Sequence, residues 1–370
     1  MDRTLEVPAN EFRGASIKVV GVGGAGSNAV DRMIQVGVPG VEFIAANTDA
    51  QALARSEASR KIVLGEKLTK GLGAGGDPVV GAEAAKRTRE QLSSAIDDAD
   101  MVFIAAGMGG GTGTGASPEV ARIARERGAL VIAVVTRPFT FEGTQREAVA
   151  EDGIKSLEEE VDTLVVVSND RLLEVVNKRI SLDIAFRIAD EVLRQGVQGI
   201  SEVVTRPGLI NLDFADVRSI MGRAGGALIS VGYGEGEGKA RKAAKMALDS
   251  PLLDIDSIKG TDGLLVNLTG GEDLTLAEVD DAMTTISRST MPHAEILFGA
   301  VIDPKMENRV QITLIATGLG VERVEALPGG KRGRSRTFNP AGVFSADALM
   351  GDALPAFMRS PAHQHAGWRS

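Results

Sequence analysis

Along the first half of the chain, apolar residues gather in short continuous runs rich in β-branched side chains, at 16–22, 40–46, 61–64, 100–106, 129–135 and 163–167. Between them, stretches such as 81–96 and 118–127 place apolar residues every three or four positions, the period of a helix. Strands that are apolar on both faces are the kind that helices cover from both sides. The alternation therefore predicts an α/β fold with a doubly wound, mostly parallel sheet. Over 181–204, Leu182, Ile184, Ile188, Val192, Leu193, Val197 and Ile200 surround most of the circumference, which predicts a long buried helix ended by Arg206-Pro207-Gly208. Beyond Asp213, helical stretches 239–248 and 276–289 alternate with strands 227–231, 263–268, 296–302 and 310–316, a smaller α/β domain with a sheet of about four strands.

These patterns divide the chain into a flexible arm (1–14), a first α/β domain (15–180), a central helix (181–204), a second domain (205–318), a linker (319–350) and a tail (351–370). There is no Cys, which excludes thiol chemistry, and three His, two of them in the tail, leave little for a histidine-built metal centre. The N-terminal residues lack the apolar core of a signal peptide, and no apolar run reaches the roughly 18 residues needed to span a bilayer. A soluble cytoplasmic protein without direct membrane insertion is expected. A net charge of -9 argues against general nucleic-acid binding, with Lys331 to Arg336 as a local basic exception.

In doubly wound sheets ligands sit at the carboxyl ends of the strands. Here those ends are rich in glycine. Gly107-Met108-Gly109-Gly110-Gly111-Thr112-Gly113-Thr114-Gly115 follows one strand, Gly21-Val22-Gly23-Gly24-Ala25-Gly26 another, and Gly71-Leu72-Gly73-Ala74-Gly75-Gly76-Asp77 a third. Glycine at this density lets backbone N–H groups close around an anion, with Thr112 and Thr114 adding hydroxyls. The second loop fits the dinucleotide fingerprint with Asp49 downstream, so a Rossmann-type oxidoreductase is one reading. Three loops, however, can surround a longer phosphate chain, and no Gly-x-x-x-x-Gly-Lys-Ser/Thr loop is present.

Gly109 to Gly115 resembles the signature loop of the tubulin/FtsZ family. Ala45-Ala46-Asn47-Thr48-Asp49, Arg137-Pro138-Phe139-Thr140-Phe141-Glu142-Gly143, Asn169-Asp170-Arg171 and Arg206 to Asp216 resemble its bacterial cell-division branch. The resemblance implies a GTPase that polymerises head to tail in the cytokinetic ring, on the inner face of the membrane. It implies GTP/GDP as ligand, with Mg²⁺ accompanying the nucleotide and metal ligands unassigned. Gly23, Gly24, Gly109, Gly110, Gly111, Thr112 and Gly113 would hold the α- and β-phosphates, and Ala74 and Gly75 would face the γ-phosphate. Glu142 and Arg146 would contact the sugar side; Asn28, Asn169, Phe186 and Asp190 would form the base pocket. Asp213 and Asp216 would enter the pocket of the next subunit as catalytic residues.

Taken on their own, Asp213 and Asp216 fit N-terminal capping, Glu142 and Arg146 fit a helical ion pair, and Phe186 fits a core. Leu354, Pro355, Phe357 and Met358 resemble the family's terminal peptide for membrane-tethering and regulatory division proteins. Departures are Ser168 and Gly76, where the family usually carries proline and alanine, together with a shifted acidic residue and an extension in the tail. A regulator that binds such filaments without hydrolysis is a third reading, disfavoured by the presence of both Asp213 and Asp216.

Overall fold

The structure, a computed structural model, describes residues 14–175, 180–205, 208–210, 212–223, 226–250, 261–290 and 294–319. The linker, the tail and the peptide from Leu354 to Met358 lie outside these residues. The strands are β1 (Ile17–Val22), β2 (Val41–Asn47), β3 (Arg60–Val63), β4 (Met101–Gly107), β5 (Leu130–Arg137), β6 (Thr163–Ser168), β7 (Gly226–Glu235), β8 (Gly263–Gly270), β9 (Glu295–Ile302) and β10 (Arg309–Leu319). The helices of the first half are α1 (Gly23–Val36), α2 (Ala50–Arg55), α3 (Glu66–Thr69), α4 (Pro78–Arg87), α5 (Arg89–Ile96), α6 (Thr112–Glu126), α7 (Thr144–Glu158) and α8 (Asn169–Val175). They are followed by α9 (Leu182–Thr205), α10 (Phe214–Met221), α11 (Lys239–Leu248) and α12 (Leu276–Ser287).

The strands form one sheet in the order β3-β2-β1-β4-β5-β6-β7-β10-β8-β9. The first six run parallel, and β10 is antiparallel to both β7 and β8. The expected second sheet is therefore a continuation of the first. It joins where β7 pairs with β6 through Leu164–Gly226 and Val165–Ala227, a backbone contact that leaves no trace in side-chain pattern. The expected helix 81–96 is two helices broken at Thr88, whose hydroxyl donates to the Ala84 carbonyl and accepts from Gly65 N–H instead of letting the chain continue. The helix expected from Pro118 starts six residues earlier, at Thr112.

Helix α9 lies across the junction. Ile188, Val192, Val197 and Ile200 share one core with Val134 and Val165 of the first half and Ile229, Leu265 and Ile315 of the second. Each such buried aliphatic side chain contributes about 1.5–3 kcal/mol, which makes α9 the common wall of both halves. Its direction is fixed at both ends. Phe186 stands beside Phe139, just beyond the carboxyl end of β5, while Thr205 packs on Gly40, just before the amino end of β2.

Candidate nucleotide site

Strand β1 runs directly into α1 and the glycine loop after β4 into α6, and neither helix start carries a side-chain cap. First-turn N–H groups without an internal partner are donors for an anion. The loops are pressed together. A Cβ placed on Gly23 would lie 2.9 Å from the Gly113 nitrogen, and one on Gly111 would lie 2.9 Å from both Ala74 Cβ and the Asp77 nitrogen. Gly109, at φ +94°, backs onto the Arg146 carbonyl. These glycines are required by the chain itself.

Others are not packed in this way. A Cβ on Gly24 or Gly75 would meet nothing within 4 Å, and one on Gly110 only the Arg146 guanidinium at 4.0 Å. Gly75 is held to glycine by its φ of +61°, whereas neither packing nor backbone conformation requires glycine at 24 and 110, whose backbones are left open to a ligand. Thr112 Oγ1 lies 2.6 Å from buried Thr48 Oγ1. The Thr114 hydroxyl accepts from Gly109 N–H at 2.9 Å and so holds the loop, with its own O–H still available as a donor. Asp49, the acidic residue of the dinucleotide reading, is spent as the cap of α2, accepting from Gln51 and Ala52 N–H. The strand order β3-β2-β1-β4-β5-β6 is also that of dinucleotide folds, so topology alone would leave the oxidoreductase reading open.

Beside this cradle, α1 and the start of α9 enclose a cleft of about 810 Å³ lined by Asn28, Asp31, Arg32, Phe186, Arg187 and Asp190 among others. Three of the four expected base-pocket residues are thus brought together. Asp190 is only 8% exposed. Burial pushes its carboxyl up to about 6, against the pull of Arg32, whose Nε lies 3.6 Å from Asp190 Oδ2, and of Arg187. Phe186 is held edge-on by Phe139 and Phe141, with ring centroids 5.6 and 6.5 Å away, and is 39% exposed. A ring anchored in this way and open on one side is suited to stacking, not to filling a core.

The fourth residue, Asn169, starts α8; it is buried, and its Oδ1 has no hydrogen-bond partner, an orphan that calls for a ligand. Glu142 accepts from Phe139 N–H at 2.9 Å and pairs with Arg146 at 2.6 Å, the helical ion pair that its spacing allowed. Arg146 nonetheless borders Gly110, which keeps the pair at the edge of the cradle. Sequence reasoning missed Arg32, although it stands one helical turn after Asn28. It also missed Asp170, which takes hydrogen bonds from Thr140 N–H and Oγ1 and so fixes the loop bearing Glu142.

Asp213 and Asp216 are not in this site. Asp213 caps α10, accepting from Asp216 N–H at 2.8 Å, and both residues are exposed. Helix α10 is tied to the opposite end of the sheet: Arg218 donates to Gly128 O, ahead of β5, and Thr163, the first residue of β6, donates to Met221 O. Ile210, just before the acidic pair, exchanges backbone hydrogen bonds with Ala300 of the edge strand β9. The glycine cradle thus occupies the carboxyl ends of the parallel strands and the acidic pair lies at their amino ends.

Uncapped helix starts, glycines open to solvent and a stacking ring beside a buried carboxylate define a nucleotide-binding protein. Residues 16–177 match the Tubulin/FtsZ family GTPase domain, and residues 225–320 match the FtsZ family C-terminal domain. A solved FtsZ dimer from M. jannaschii is 44% identical, with TM-score 0.81, over 87% of this chain and 96% of that one. A point mutant of M. jannaschii FtsZ is 48% identical, with TM-score 0.79, over 83% and 92%. CetZ2 from Haloferax volcanii shares the fold at 21% identity and TM-score 0.70, over 84% and 95%. The chain belongs to the tubulin/FtsZ family of GTPases, within its FtsZ branch; it binds GTP and GDP and hydrolyses the former. Both matched FtsZ structures are archaeal, which widens the expectation of a bacterial protein to FtsZ as a whole.

Proposed function

We propose that this GTPase assembles head to tail into the filament of a cell-division ring and hydrolyses GTP at the junction between successive copies. The observation that carries the reading is the separation of cradle and acidic pair along α9, whose 24 residues rise about 36 Å. One folded chain cannot bring the two together. A second copy stacked end on end presents its Asp213 and Asp216 to the first copy's nucleotide. Such a contact is heterologous and does not close, so it yields a filament. Solvent-exposed Leu72 and Val79 near the cradle, and Leu209 and Ile210 beside the acidic pair, provide apolar surface at both ends for that contact.

In the joined site the amides of Gly23, Gly24 and Gly109 to Gly113 and the Thr112 hydroxyl hold the α- and β-phosphates, and Ala74 and Gly75 border the γ-phosphate. Glu142 and Arg146 contact the sugar side. Phe186 stacks on the base, Asn28 and Asn169 bond to its polar atoms, and ionised Asp190 accepts from guanine N1–H and the exocyclic amine. The incoming carboxylates of Asp213 and Asp216 orient a water in line with the γ-phosphorus. Its oxygen bonds to phosphorus as the bond to the bridging oxygen of GDP breaks, and its proton passes toward the carboxylates. Mg²⁺ would accompany the phosphates, where it would neutralise charge.

The segment Leu354, Pro355, Phe357 and Met358 is proposed to dock on membrane-tethering and regulatory division proteins in the cytoplasm. No helix among the described residues is long and apolar enough to cross a membrane. Sedimentation of the full chain tests the reading: it should pellet with GTP and stay in solution with GDP. Equal behaviour with the two nucleotides would overturn it.

A further inference from the structure

The reading of guanine by Asp190 contains a weakness that the cleft itself reveals. An ionised carboxylate accepts two hydrogen bonds and so fits the N1–H and amine donors of guanine. A neutral carboxyl carries one donor and one acceptor and fits adenine instead, giving its proton to N1 and accepting from the N6 amine. Burial of Asp190 favours the neutral form. Whether the pocket selects guanine therefore depends on what faces this carboxylate.

Five charged groups line the cleft with it. On its own helix, Arg187 and Asp183 pair with each other at 2.8 Å. On α1, Asp31 is engaged with Ser56 Oγ and Glu57 N–H at 2.6 and 2.7 Å. The neighbouring Glu191 is joined to Arg194. Arg32 remains, with its Nε at 3.6 Å from Asp190 Oδ2. We propose that Arg32 is a specificity-determining residue of this GTPase: it acts through Asp190, holding the carboxylate in the acceptor-only form that admits guanine and rejects adenine. The inference rests on the assignment of Asp190 as the base reader.

The expected size follows from titration. The ratio of guanine-competent to adenine-competent sites equals the ratio of ionised to neutral carboxyl, which changes tenfold per pH unit. Loss of a cation at this distance raises a carboxyl by about one unit or more. Arg32→Gln should therefore lower GDP-over-ADP selectivity about tenfold at every pH, mostly through tighter ADP above neutrality and mostly through weaker GDP at the acid end of the range. Arg32→Lys, which keeps the charge, should restore most of it.

The test measures GDP and ADP affinities of the full chain by titration calorimetry between pH 5.5 and 8, diphosphates being chosen so that assembly does not enter. Ionisation of the diphosphate itself cancels in the ratio. Asp190→Ala is measured in parallel and should abolish the pH slope of the selectivity. A selectivity in Arg32→Gln equal to wild type, with Asp190→Ala reduced, overturns the role of Arg32 and leaves the Asp190 assignment standing. Wild-type selectivity in Asp190→Ala overturns the assignment and the inference with it. Should Arg32→Gln fold poorly, Arg32→Lys against Arg32→Met supplies the same comparison of charge with shape.

Discussion

Replacing Gly24 by alanine should move stability and nucleotide affinity in opposite directions. Gly24 lies in the first turn of α1 with ordinary backbone angles, and a Cβ there meets nothing within 4 Å. Alanine in a helix is favoured over glycine by about 0.5–1 kcal/mol, and the lower figure suits a first turn. For a chain of this size that raises the melting temperature of the empty protein by about 1 °C or slightly less. The same methyl group would stand where the phosphate chain meets the backbone. Losing or lengthening one amide bond to a charged oxygen costs about 1.5–3 kcal/mol, which is at least a tenfold weaker dissociation constant. Nucleotide stabilises the folded state in proportion to the logarithm of concentration over that constant, so saturating GDP should add at least about 1.4 kcal/mol less to the variant than to wild type. Paired melting curves with and without GDP should therefore cross: variant above wild type when empty, below it when loaded. A variant that melts lower when empty, or that binds GDP as wild type does, would refute the division of glycines into those the chain needs and those the ligand needs.

Gly115→Ala should behave in the reverse way, because its Cβ would run into the Pro78 carbonyl oxygen and press on Ala82 N; calorimetry should register a loss of several kcal/mol before any effect on binding. Asp213→Asn keeps a side chain that caps α10 about as well as aspartate, so its melting temperature should match wild type while GTP turnover collapses. Asp213→Ala should lose about 1 kcal/mol as well. If the asparagine variant turns over normally, the carboxylate serves only as a cap. GDP affinity should fall about tenfold from pH 7 to pH 5, as Asp190 takes up a proton near pH 6 and can no longer accept from both N1–H and the exocyclic amine. In the empty protein the sign is opposite: a carboxyl raised above 3.8 stabilises the fold below about pH 4, and that contribution is lost as pH rises through about 6.

Which parts of this could be read from residues alone follows from their physics. The strands were legible because continuous apolar runs have few other uses, and α9 because apolar residues circle it. The cradle was legible because glycine is dense in three loops; that the fold itself does not need Gly24 and Gly110 took coordinates. The joining of the two sheets was not, since Leu164 meets Gly226 through backbone alone. Thr88 broke a helix whose apolar period continues across it, because the competing bonds reach Gly65, far back in the chain. The roles of Arg32 and Asp170 escaped notice for a related reason: each pairs with a residue distant in sequence, Asp190 and Thr140, and although Asp170 lies within a family motif, nothing in that motif points to Thr140. The acidic pair was placed by family resemblance; its separation from the cradle needed coordinates.

The central claim is that one copy's cradle and another copy's carboxylates form a single reacting site. Phosphate release per chain, followed as protein concentration is raised at saturating GTP, addresses it most directly. The account predicts turnover near zero at high dilution, rising steeply beyond a threshold and then levelling as every cradle but the terminal one is covered. Turnover per chain that stays constant from the most dilute sample upward would contradict it.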